Sequence, residues 1–69
     1  MGKKFLKAKC VINGLSITDL ADMVNINKAT FYRKMNDDSF TTKEARDIAR
    51  VLSLDANEIM GIFFADDDA

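Results

Sequence analysis

Sixty-nine residues, 48% hydrophobic and 30% charged, describe a folded domain and not a disordered chain; a globule of that length has a radius of gyration of ~11 Å. Histidine is absent and Cys10 is the single cysteine, which excludes an internal disulfide, a Cys/His zinc site and any Ser-His-Asp or Cys-His catalytic arrangement. The formal net charge of −1 is an average over two opposite halves: residues 1–36 carry seven Lys and Arg against two acids, a net of +5, and residues 37–69 carry three against nine, a net of −6.

The first predicted element is a helix over about residues 3–12, with Leu6 and Cys10 on its apolar side and Lys3, Lys4, Lys7 and Lys9 around it. Cysteine in such a stripe behaves as a small hydrophobe. Asn13-Gly14 is a left-handed stop signal.

Four helix starts then follow one pattern: an apolar residue, a capping side chain that accepts from unpaired backbone N–H groups, and an apolar residue four positions into the helix. Leu15-Ser16 is followed by Leu20, Ile26-Asn27 by Phe31, Phe40-Thr41 by Ala45, and Leu54-Asp55 by Ile59. In two of them, Thr41/Glu44 and Asp55/Glu58, a glutamate three residues on is placed to reach back to the cap. The pattern predicts helices near 17–24, 28–35, 42–52 and 56–64. Their stripes are Leu20, Ala21 and Val24; Phe31 and Met35; Ala45, Ile48, Ala49 and Leu52; and Ile59, Met60 and Phe63. No segment alternates with period two, so the fold class is all-α, a compact bundle of five short helices.

The second and third helices are separated only by Asn25-Ile26-Asn27, so they must cross steeply. Ala21 supplies a small residue at the crossing, and Asn25 is the non-glycine residue best suited to a left-handed turn. Phe31 and Met35 turn inward, leaving Asn27, Lys28, Ala29, Tyr32, Arg33 and Asn36 outward. Such a face is either solvated surface or a set of groups for base edges. Lys28 and Arg33 suit guanine O6 and N7, Ala29 and the Tyr32 ring suit a thymine methyl, and Asn27 is shared between capping and contact. Thr30, near the cap, suits a phosphate.

The stretch "LSITDLADMVNINKATFYRKMN" resembles the helix-turn-helix of the phage Cro/repressor-like (XRE-type) family, and "DDSFTTKEARDIARVLSLDANEIMGIFF" resembles its fourth and fifth helices. The resemblance covers about residues 5–64. It implies a lambda-repressor-like DNA-binding domain, a duplex DNA operator as partner, and phosphate contacts from the start of the fourth helix, which here means Asn36, Thr41, Thr42 and Lys43. N–H groups at a helix start suit phosphate in any case. Two positions depart from the family. Glutamine commonly opens the second helix and touches a phosphate, where this chain has Ile17; and an apolar residue is frequent where this chain has Lys34, with Met35 supplying the buried contact instead. The four lysines of the first helix add charge neutralisation or simply keep the helix solvated.

"EIMGIFF" holds more apolar surface than one short helix can direct inward. Ile62, Phe63 and Phe64 are read as a homodimer or partner contact, against the plainer reading of a helix that closes the core. Specific DNA binding normally uses two recognition helices.

The expectation is one domain over residues 1–69, ordered over about 3–64, with the acidic tail at 65–69 mobile and kept from DNA by its aspartates. No membrane span and no signal-peptide pattern is present, which places the chain in the cytoplasm of a bacterial host. The function expected is a Cro-like, sequence-specific regulator without cofactor or metal. The competing function is a modulator or antirepressor that engages a phage repressor protein. With no glycine-rich phosphate loop and no convergent acid pair, an enzyme is not expected.

Overall fold

A computed structural model describes residues 1–64. Five helices follow in order: α1 (Lys3–Ile12), α2 (Ile17–Met23), α3 (Lys28–Asp37), α4 (Thr42–Leu52) and α5 (Ala56–Phe63). Among the described residues there is no strand, as the missing period-two pattern implied. The radius of gyration is 10.8 Å. No helix of the described residues is long and apolar enough to cross a membrane. The predicted tail at 65–69 lies outside the described residues.

The four caps form as expected. Ser16, Thr41 and Asp55 accept from the backbone N–H groups of Asp19, Glu44 and Glu58, and Asn27 Oδ1 accepts from Ala29 and Thr30. A third box joins the two expected. Asp19, though one methylene shorter than glutamate, still reaches the Ser16 N–H at 2.9 Å.

Helix ends are as uniform as the starts. After α1, α2, α3 and α4 the chain passes through one left-handed residue, Gly14 (φ 71°), Asn25 (61°), Asp38 (56°) and Ser53 (53°). In each case the next N–H turns back five residues: Leu15 donates to Cys10 O, Ile26 to Ala21 O, Ser39 to Lys34 O and Leu54 to Ala49 O, at 2.8–3.0 Å. This is the Schellman-type closure, which satisfies carbonyls that a helix end leaves open. Three connectors therefore share one three-residue plan: a left-handed residue, an apolar residue and a cap, as in Gly14-Leu15-Ser16, Asn25-Ile26-Asn27 and Ser53-Leu54-Asp55. The middle residue closes one helix and clamps the next, and Leu15, Ile26 and Leu54 all pack on the core. The α3–α4 connector has one residue more, so Ser39 makes the closing bond and Phe40 the clamp.

The core is built from Leu6, Cys10, Leu20, Ala21, Phe31, Met35, Ile48, Leu52 and Ile62, with Met1 and Ile17 completing it. Burial pushes the Cys10 thiol up from its ordinary value. Phe31 is fully buried, edge-on to Phe40 with centroids 5.0 Å apart, and Phe40 in turn meets Phe63 at 6.2 Å. Truncating an aromatic residue in such a place costs about 3–5 kcal/mol. α2 packs against α1, α3 and α4, and α1 against α5.

Three boundaries and two side-chain directions differ from the sequence reading. α2 stops at Met23, one residue early, because Val24 already leads into the Asn25 turn; α3 runs to Asp37, two residues further, because no stop residue precedes Asp38. α5 ends at Phe63. Met60, expected on the inner stripe, is exposed, and Ile62 takes the inner place at 1% exposure. The reason is the N-terminal strap: the Gly2 N–H donates to Ile62 O at 2.7 Å, and a Cβ at Gly2 would fall 2.5 Å from Gly61 O. That close approach seats α5 with Ile62 toward α1.

Candidate nucleic-acid interface

The short, left-handed Asn25 turn leads from α2 into α3, which packs against it, and the fully buried Ala21 carbonyl accepts from the Ile26 N–H. Phe31 and Met35, one turn apart, are sunk in the core. Lys28, Ala29, Tyr32, Arg33 and Asn36 are consequently exposed along the other side of α3, and Thr30 is half-buried beside them.

The exposed groups differ in how freely they stand. Lys28, Ala29 and Tyr32 have no side-chain partner among the described residues, whereas Arg33 lies 3.9 Å from Asp37 on the same helix, a loose and solvated pairing. Asn27 Oδ1 is engaged in capping, so its amide NH2 is what remains for another partner. Asn36 Oδ1 accepts from Lys3 Nζ at 3.3 Å, which brings the start of α1 to the end of α3.

The start of α4 lies close by in the chain and is tied to α3 by a contact that sequence reasoning missed. Lys34 Nζ meets Glu44 Oε2 at 2.6 Å, with both side chains about four-fifths covered. Glu44 Oε1 at the same time accepts the Thr41 N–H at 2.8 Å. The Lys34 ammonium first, and the Thr41 N–H second, hold the Glu44 carboxyl below its ordinary value. Lys34 is therefore a brace between two helices, which explains a cation at a position where the resembling family is often apolar. Thr41 is committed to its cap, Thr42 is exposed, and Lys43 extends into solvent with a salt bridge to Asp47 at 3.2 Å.

Ile17 is 9% exposed and belongs to the core, so it offers no polar group at the opening of α2. Of the α1 lysines, Lys9 is held by Glu58 at 2.7 Å, while Lys4 and Lys7 have no ion pair among the described residues.

The three C-terminal contact candidates separate. Ile62 is core and has no surface to offer a partner, Phe63 is half-buried on Phe40, and only Phe64, at 67%, is exposed. Phe63 and Phe64 line a shallow hollow of about 160 Å³ with Phe40, Thr41 and Thr42, so the chain's last described turn comes back to the start of α4. No sequence signal pointed to that return.

The molecule thus presents two packed helices joined by a tight turn, an outward donor-rich face on the second of them, and an adjacent helix start. A family model described as a Cro/C1-type HTH DNA-binding domain matches residues 6–65, nearly the whole chain. The chain belongs to the Cro/C1-type helix-turn-helix DNA-binding family. No curated protein and no solved structure matches it. In Cro/C1-type terms α2 and α3 are the helix-turn-helix pair and α3 its second helix, which makes the outward side of α3 the candidate interface. The family supports a DNA-binding regulator, and the basic charge of residues 1–36 lies in the half that contains α2 and all of α3 but Asp37.

Proposed function

We propose that this chain is a sequence-specific transcriptional regulator of phage or prophage origin, acting on an operator in the bacterial cytoplasm as a homodimer. α3 enters the major groove, with Lys28 and Arg33 at guanine edges, Ala29 and Tyr32 at thymine methyls, and the Asn27 amide at the groove edge. Thr30, Asn36, Thr41, Thr42 and Lys43 face phosphates, using side-chain donors and the N–H groups at the start of α4. The observation that carries this reading is the division of α3 into a buried Phe31/Met35 side and an outer side whose Lys28, Ala29 and Tyr32 are uncommitted.

Selection from a randomised duplex pool tests it. An operator should emerge. Arg33→Ala should then cost about 1–3 kcal/mol and relax the preference at one base pair, whereas Lys43→Ala should weaken all sequences alike and lower the salt slope by about one. A pool from which no sequence is enriched refutes the reading.

One observation favours a second reading, a modulator or antirepressor that binds a phage repressor protein. The buried Ile17 removes a phosphate contact common in the resembling family, while Phe64 is left exposed. Co-purification with a repressor that is lost in Phe64→Asp but kept in Arg33→Ala would favour it.

A further inference from the structure

α3 and the start of α4 carry the two parts of the proposed contact, base edges on one and phosphates on the other, yet little joins them directly. α2 packs against both helices, whereas α3 and α4 make few contacts with each other. Their connector is the one that departs from the three-residue plan, with a residue more. Across it stand the edge-on Phe31 and Phe40 rings and the Lys34–Glu44 pair. Among the described residues this is also the one joint whose two flanking helices share an ion pair.

The pair is placed to act on the joint and not on DNA. Lys34 precedes the buried Met35 and follows Phe31 by three positions, so it flanks the inner side of α3, while its neighbour Arg33 is exposed. Its ammonium lies 2.6 Å from Glu44 Oε2, and only about a fifth of either side chain is open to solvent. Glu44 Oε1 accepts from the Thr41 N–H at 2.8 Å, and Thr41 Oγ1 accepts from the Glu44 N–H at 3.1 Å. One carboxylate therefore fixes the first turn of α4 and ties that turn to α3. A charge-assisted bond this short has direction as well as strength, and its partial cover limits screening by salt.

A duplex presents base edges and phosphates at a set separation. A protein whose two contact sets already stand at that separation avoids an ordering cost on binding. Binding to random DNA draws on phosphates alone and needs no such match.

We infer that Lys34 and Glu44 are positioning residues for sequence discrimination: they hold α3 and the start of α4 so that base-edge and phosphate contacts engage one duplex together, without touching DNA themselves. The inference rests on the DNA-binding reading above. Lys34→Met keeps the aliphatic stem and removes the charge, Glu44→Gln keeps an acceptor for the Thr41 N–H, and Lys34→Arg restores the pair. In the free protein, Lys34→Met and Glu44→Gln should each speed amide hydrogen exchange at Ser39 and Thr41 by at least ~5-fold and leave Leu6 and Cys10 unchanged. On DNA, each should weaken operator binding by ~10-fold while changing random-duplex affinity by less than about 2-fold and leaving the salt slope intact. The double variant should be no weaker than either single one, and Lys34→Arg should recover most of the loss. A lysine that touched phosphate would instead weaken all sequences alike and lower the salt slope by about one, which overturns the inference. So does a Lys34→Met protein with the original operator preference, or with the original exchange at Ser39 and Thr41. The exchange measurement contains no DNA, so a failed operator selection withdraws the DNA-binding reading and leaves the ordering of the joint decided by exchange.

Discussion

Two kinds of residue show where the chemistry was legible and where it was not. Gly14 and Asn25 announce their left-handed turns, since glycine and asparagine are the residue types that tolerate that region best. Asp38 and Ser53 adopt the same conformation unannounced. Aspartate tolerates that region, as asparagine does, but serine does not favour it, and Ser53 is held there between the helix behind and the apolar clamp ahead. Ser53 makes no side-chain hydrogen bond among the described residues. Ser53→Gly should therefore raise the unfolding free energy by about 0.5–1 kcal/mol in urea titration, a gain that Gly14, already glycine, has no room to repeat. Lys34 and Glu44 illustrate the other limit. Ten residues apart, they meet only because of the angle between two helices, and no local pattern carries that angle. The outward residues of α3 were legible, because Phe31 and Met35 already say which side is hidden.

Among the elements, the starts were easier to read than the ends. A cap and its apolar clamp lie within five residues of each other, whereas a stop shows only when its residue type is telling, which is why α3 overran by two residues. The three capping boxes also share a dependence on pH. Asp19 is held below its ordinary 3.8 by the Ser16 N–H and hydroxyl; Glu44 and Glu58 are held below 4.5 by Lys34 and Lys9 first, and by the capping N–H second. In each the folded chain binds its proton less readily than the unfolded chain. The stabilisation is therefore fully present above about pH 4.5 and is lost as pH falls through the lowered values. Thermal melts should be flat from neutrality to about pH 5 and fall below pH 4.5, with a smaller fall in Glu44→Gln, which lacks one of the three carboxyls. α5 was the least legible element: with apolar residues on nearly every side, its orientation follows from the Gly2 strap and not from its own stripe.

At the scale of the molecule, the five helices and their order were written in capping and periodicity, and the basic and acidic halves in plain composition. A groove between α1 and α5 was not, since Phe5, Ala8 and Ile12 line it only once Gly61 lies beside them. The repeated connector has a consequence for how the chain finds its structure. Each three-residue joint couples the end of one helix to the start of the next through neighbours in sequence, so much of the native pairing has low contact order and little loop entropy stands in its way. With no proline and a single cysteine, isomerisation and disulfide exchange contribute no slow step. Temperature-jump refolding should be a single phase in the microsecond-to-millisecond range. Inserting glycines into Asn25-Ile26-Asn27 should slow that phase, because a loosened joint no longer delivers one helix already aimed at the next.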